Sequence, residues 1–168
     1  MITLNDEQHL GLESLPKDSR VWIYKSKRAF SEAEKEHVLD SGREFTKQWQ
    51  AHGAPMNAAI FVVADHFVVV AADESTVGAT GCSIDSSVAY IRKLEAELKL
   101  TLTDRMFVIL ELEGAFRACS IDELKRLHSE GTISDETIVF DDLVSTLGEL
   151  QSGFRKKLKD SWAVRFIA

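Results

Sequence analysis

Cysteine is scarce in this chain, with two among 168 residues. Two thiols cannot make the disulfide framework of a small secreted domain. Neither Cys82 nor Cys119 sits in the Cys-x-x-Cys or His-x-Glu spacing that zinc sites use. Long apolar runs are missing as well. No stretch approaches the roughly 18 continuous apolar residues of a membrane span. The opening Met1-Ile-Thr-Leu-Asn-Asp-Glu7 has neither the basic nor the apolar region of a secretory signal. These absences point to a reducing cytoplasm.

Positive charge is also in deficit. The net charge of −7 argues against a nucleic-acid partner, since phosphate neutralisation needs a basic face. Local basic patches survive only at Lys25-Ser-Lys-Arg28 and Arg155-Lys-Lys157, and both read as solvated surface. Hydrophobic residues make up 45% and charged residues 28%, the balance of a globular protein with room for one ordinary core.

Along the chain, residues 1–19 read as an arm ending in a turn at Pro16. Arg20-Val-Trp-Ile-Tyr24 predicts a strand with apolar groups on both faces. Ser31-Glu-Ala-Glu34 is a capping box opening a helix that carries Val38, Phe45 and Trp49 and stops near His52-Gly53, with Gly53 as its C′ residue. Residues 58–64 and 67–72 are β-branched-rich runs joined by Asp65-His66, which predicts a two-residue hairpin with a solvated His66 at its tip. Cys82-Ser83 opens a second helix with Ser83 as N-cap and a stripe of Ile84, Val88, Ile91, Leu94 and Leu98. A strand over 105–112, a turn at Glu113-Gly114 and a partner strand at 116–118 follow. Ser120-Ile-Asp-Glu123 is another capping box, Gly131 ends its helix, and residues 137–140 form a last short strand. A short helix over 147–150 leads to the tail Asp160-Ser-Trp-Ala-Val-Arg-Phe166, whose Trp162 and Phe166 should dock on the body.

The expected fold is α+β, one domain: a ferredoxin-like βαββαβ core over 20–113 with a ββαβα extension over 114–168. The hairpin is apolar on successive residues, so both sheet faces need cover. The extension supplies that cover by available chain; a second subunit, as a homodimer, is the alternative.

The candidate site is the strand–loop–helix passage from Asp73 to Ser87. It gathers carboxylates, hydroxyls, a thiol and backbone donors. Three function classes follow from it. The leading one is a non-catalytic binding or protein-interaction domain for an unknown small molecule or protein, with Asp73, Glu74, Ser75, Ser83, Ser86 and Arg165 as ligand-binding candidates. The second is a thiol enzyme using Cys82 as nucleophile, with His52 as base and Asp85 nearby; the surrounding carboxylates oppose a thiolate. The third is a Mg²⁺ or Ca²⁺ site at Asp73, Glu74 and Asp85. Gly78-Ala-Thr-Gly81 lacks the lysine of a Walker loop, and Val77 and Ile84 fall on ligand positions of an EF-hand count. No Gly-x-Ser-x-Gly elbow is present, and no cofactor is expected.

Two resemblances accompany this reading. Arg20-Val-Trp-Ile-Tyr24, Ala51-His-Gly53, Asp73-Glu-Ser75, Gly81-Cys-Ser-Ile-Asp-Ser-Ser87, Thr137-Ile-Val-Phe140, Asp160-Ser-Trp162 and Arg165-Phe166 together resemble a family of uncharacterised bacterial proteins of similar length. Its members often carry the label "ABC transporter ATPase", for which the absent Walker motif offers no support. The span 108–144, with Glu113-Gly114, Leu124-Lys-Arg-Leu127 and Gly131-Thr-Ile-Ser-Asp-Glu-Thr-Ile-Val139, looks like GYF-type peptide-binding modules, which would imply an aromatic groove. Phe116 and Phe140 are the aromatics available for it.

Overall fold

The computed structural model describes residues 14–168, so most of the expected N-terminal arm, and His9 with it, lies outside the described residues. Three antiparallel sheets and four α-helices are present among them. In chain order the elements are β1 (Arg20–Lys25), α1 (Glu32–Gln48), β2 (Gln50–Ala51), β3 (Ala54–Pro55), β4 (Asn57–Val63), β5 (Phe67–Asp73), α2 (Gly81–Leu98), β6 (Phe107–Leu112), β7 (Ala115–Ser120), α3 (Ile121–Ser129), β8 (Ile138–Phe140), α4 (Leu147–Gly153) and β9 (Arg155–Lys157). Two 3₁₀ turns, Leu158–Asp160 and Trp162–Phe166, complete the chain.

The first sheet has the order β1-β5-β4, and the second β7-β6-β8-β9. Period-two alternation sends the side chains of each to two different cores. In the first sheet Val21, Phe61, Val63, Phe67 and Val69 face Phe107, Ile109, Phe140 and Phe154 of the C-terminal half. Tyr24, Ile60, Val62, Val68 and Val70 face the other way, against Val38, Tyr90, Ile91 and Leu94 of α1 and α2. Val108, Leu110 and Val139 of the second sheet pack with Leu124 and Leu127 of α3 and with Leu158 and Ala163 of the tail. The layers are therefore helices, sheet, sheet, then helix and tail. Residues after 114, together with Phe107 and Ile109 of β6, fold across the hairpin's second face, the first of the two covers that the apolar pattern allowed.

The ferredoxin-like expectation is not met at its fourth strand. β1, β5 and β4 hold the positions of such a sheet, but β6 pairs with β7 and β8 and leaves β1. The edge that β1 would offer it is occupied in pieces. Val21 N–H donates to Ser145 O (2.9 Å), Arg20 bridges Thr146, and Lys25 N–H donates to Leu102 O (3.3 Å).

Several local expectations are corrected. α1 ends at Gln48 with Trp49 as its C-cap, so Gly53 is not its C′ residue. His52 (φ 54°) and Gly53 (φ 75°) instead form the left-handed turn between β2 and β3. The β4–β5 hairpin has three loop residues, with Ala64 and Asp65 at positive φ. That extra residue turns His66 inward: it is buried, and its Nδ1 bonds Ser26 O at 2.9 Å. The N-cap of α2 is Thr80, not Ser83. Ser83 is the buried third residue of a capping box, its N–H donating to Thr80 Oγ1 (3.1 Å) while its Oγ accepts from Thr80 N–H (2.7 Å). The basic patch at 155–157 is a strand, β9, and Arg155, Lys156 and Lys157 pair with Glu111, Asp141 and Glu136.

Candidate functional site

The loop from Asp73 to Gly81 is held by its own side chains. Asp73 Oδ1 accepts from Ser75 N–H (2.9 Å), which holds that carboxyl below its usual range. Glu74 Oε1 accepts from Ala79 N–H (3.0 Å) and faces Arg20 at 3.7 Å. The hydroxyls are engaged with the helix they sit on. Ser83 closes the Thr80 box, Ser86 Oγ donates to Cys82 O (3.0 Å) and Ser87 Oγ donates to Ile84 O (2.7 Å). Ser75 and Asp85 are exposed. Such a loop is what a strand-to-helix connection without basic residues needs: each carboxylate takes the nearest orphan N–H.

Cys82 is exposed on the first turn of α2. Trp49 Nε1 donates to Ser83 O (2.8 Å) and ties the β2–β3 hairpin to that turn, yet no hydrogen bond joins Cys82 to His52. Arg165 lies in the tail beyond the second sheet, stacked over Phe166 (5.1 Å) and Trp162 (5.8 Å). Cys82 and Arg165 thus occupy opposite outer layers. No group of three or more His, Cys, Asp and Glu among the described residues is placed to hold a metal ion.

A feature not anticipated from sequence is a cleft of about 570 Å³ between α1 and α2, lined by Ser41, Phe45, Gln48, Ser86, Tyr90 and Glu97 among others. It exists because α1 is drawn onto β4. Gly42 meets Ile60 so closely that a Cβ there would lie 2.9 Å from Ile60 Cβ. α1 also reaches around the β4 edge, giving Val38 to one core and Leu39 to the other. The floor is aromatic: Phe45 stacks on Tyr90 with centroids 4.9 Å apart and planes 18° apart, and the buried Trp49 backs Phe45 at 5.3 Å from outside the cleft. Tyr90 OH donates to Val38 O (3.2 Å) and meets Ser41 Oγ at 2.9 Å. Burial pushes its phenol up to about 12. At the rim His37 meets Glu97 at 2.7 Å and Lys93 lies 3.8 Å from it. Of the sequence candidates, only Ser86 touches this cleft. Phe45 was legible as an apolar position on the α1 stripe, but a stripe does not distinguish a core ring from a cleft floor.

A smaller cleft of about 290 Å³ carries Lys27, Arg28 and Lys99. Lys27 pairs with Asp104 (3.1 Å) and Arg28 with Glu34 (2.8 Å), so the basic segment is largely neutralised in place. No described helix is long and apolar enough to cross a membrane. The chain matches no family model, no curated protein and no solved structure.

Proposed function

We propose that this chain is a non-catalytic binding domain and that the cleft between α1 and α2 takes a small organic molecule with a flat apolar body and a polar edge. The observation that carries this reading is the stacked Phe45–Tyr90 pair beneath a rim of Ser41, Gln48, Ser86 and Glu97. Ligand pockets of about 300–1,000 Å³ typically combine an aromatic wall with a few placed polar groups. A bound ring would extend the stack, and the rim would fix its orientation. Among the described residues no base is hydrogen-bonded to Cys82 and no carboxylates converge on a metal position, so neither the thiol-enzyme nor the metal reading has an observation in its favour.

Filling the cleft tests the proposal. Ala89 lines it from α2, so Ala89→Trp places an indole where the ligand would lie. Saturation-transfer NMR with a library of small aromatic acids, amides and alcohols should register binders to the wild type that Ala89→Trp loses, with its melting curve intact. No binders, or equal binding by both proteins, refutes the cleft as a ligand site.

A further inference from the structure

The four edges of the two larger sheets are treated very differently. The β1 edge is blocked by Leu102, Ser145 and Thr146, and the β4 edge is wrapped by α1. β9 is three residues long and wholly basic, a common way of discouraging a further strand. Among the described residues nothing protects β7 in this way. It is six residues long, Ala-Phe-Arg-Ala-Cys-Ser, pairs with β6 without a bulge, and has mostly exposed residues.

The register shows which of its groups point outward. Glu113 and Gly114, both at positive φ, form a two-residue turn, so Leu112 and Ala115 are a hydrogen-bonded pair. Alternation then aims the N–H and C=O of Phe116 and Ala118 away from β6, and no described residue meets them. Ser120 N–H faces the same way. Ser31, Thr80 and Thr146 each close a capping box, but at Ser120 only half of one forms. Its Oγ accepts from Glu123 N–H (3.1 Å), while the Glu123 carboxylate turns to Arg117. The donor that Glu123 would have satisfied is left on the open edge.

We propose that β7 pairs antiparallel with β7 of a second copy of this chain, about a two-fold axis at Ala118, joining the two four-stranded sheets into one. This register sets Ala118 opposite Ala118, Phe116 opposite Ser120 and Arg117 opposite Cys119 of the other copy. It gives the five outward groups of each copy, the N–H and C=O of Phe116 and Ala118 and the N–H of Ser120, partners on the other copy. Large residues meet small ones, and Phe116, 39% exposed, gains a cover. Charge complementarity favours a second copy over an arbitrary strand. Glu123 stands beside Cys119, where it adds to burial in raising the thiol, and pairs with Arg117 of its own copy, so this register brings the two Arg117–Glu123 pairs together as one cluster of alternating charge. A register centred on Arg117 would instead oppose two guanidinium groups and is disfavoured.

Sedimentation velocity over a concentration series tests this. The wild type should form a dimer. Ala118→Pro removes an N–H that points away from β6, a change an edge strand tolerates, and should give a monomer with an unchanged circular dichroism spectrum. Should Ala118→Pro fail to fold, Arg117→Glu decides: it should weaken the dimer about tenfold, and Arg117→Glu with Glu123→Arg should restore it. A wild type that stays monomeric throughout overturns the proposal. So does a dimer that Arg117→Glu and Ala118→Pro leave unaffected.

Discussion

Tyr90 shows how a single side chain records the packing around it. Its hydroxyl is buried between α1 and α2, and burial pushes the phenol to about 12. Tyr24, the other tyrosine of the chain, is also raised by burial, against a lowering contribution from Arg105. A phenol whose folded value lies above its unfolded value of about 10 favours the fold below that pH. That contribution is lost as pH rises from about 10 through 12, because the unfolded chain releases its protons first. Absorbance titration of the native protein should therefore show Tyr90 forming tyrosinate near pH 12 and Tyr24 later than an unfolded tyrosine, whereas in the urea-unfolded chain both titrate at about 10. Two normal tyrosines in the native titration would contradict the burial of both. Residue roles of this kind were only partly legible. Ser31 could be read because Glu34 follows it at the spacing a carboxylate needs to reach back. Thr80 could not, because its box closes with the hydroxyl of Ser83, and a serine in that place looks equally like the cap itself. The loop carboxylates Asp73 and Glu74 were found as a cluster, but whether they face a ligand or their own backbone is a matter of dihedral angles.

Among the elements, α1 is the one whose placement decides the candidate cleft. Gly42 lets it approach β4, and a methyl group there would meet Ile60 Cβ at 2.9 Å with Tyr90 Oη at 3.5 Å. In an exposed helix Gly→Ala stabilises; here the overpacking reverses the sign. Gly42→Ala should lower stability by about 1–3 kcal/mol in urea unfolding and should loosen the Phe45–Tyr90 stack, visible as ring-proton shifts. A stabilised variant would mean that α1 is not pressed on the sheet. The sequence shows α1, α2 and the hairpin strands well, since capping boxes and β-branched runs act locally. Its failures fall where a neighbour decides. Trp49 leaves the helix to bring its indole to Ser83 O, and β9 forms from three basic residues because Ile138, Val139 and Phe140 offer them an edge. The candidate cleft was illegible for the same reason: two helices far apart in sequence make it, and its floor residues look like core.

At the scale of the whole molecule, the open question left by the sequence was where the strand after α2 goes. Local pattern predicts the strand but not its partner, since β6 is apolar on both faces and suits either sheet. The structure ties β6 to β1 without pairing them, through Lys25. That side chain is 3% exposed, and its Nζ donates to Phe107 O (2.5 Å), meets Asp142 Oδ2 at 2.9 Å and sits over the Phe107 ring at 4.7 Å. Asp142 Oδ1 also accepts from Trp162 Nε1 (2.9 Å), so one buried ion pair joins the first sheet, the second sheet and the tail. This is how Trp162 docks, the expectation that its apolar character raised; Trp162 and Phe166 are both half-buried, and their rings meet edge to face at 5.9 Å. A buried pair contributes little over an apolar replacement, but removing one partner leaves a charge without compensation. Lys25→Met should therefore cost roughly 3–5 kcal/mol, by orphaning Asp142. Lys25→Met with Asp142→Leu should recover much of that loss, though not all, because Trp162 Nε1 loses its acceptor. Urea unfolding of the two single variants and the double closes the cycle. Additive losses would show that the pair does not join the sheets, whereas recovery in the double variant identifies Lys25 and Asp142 as the clasp between them.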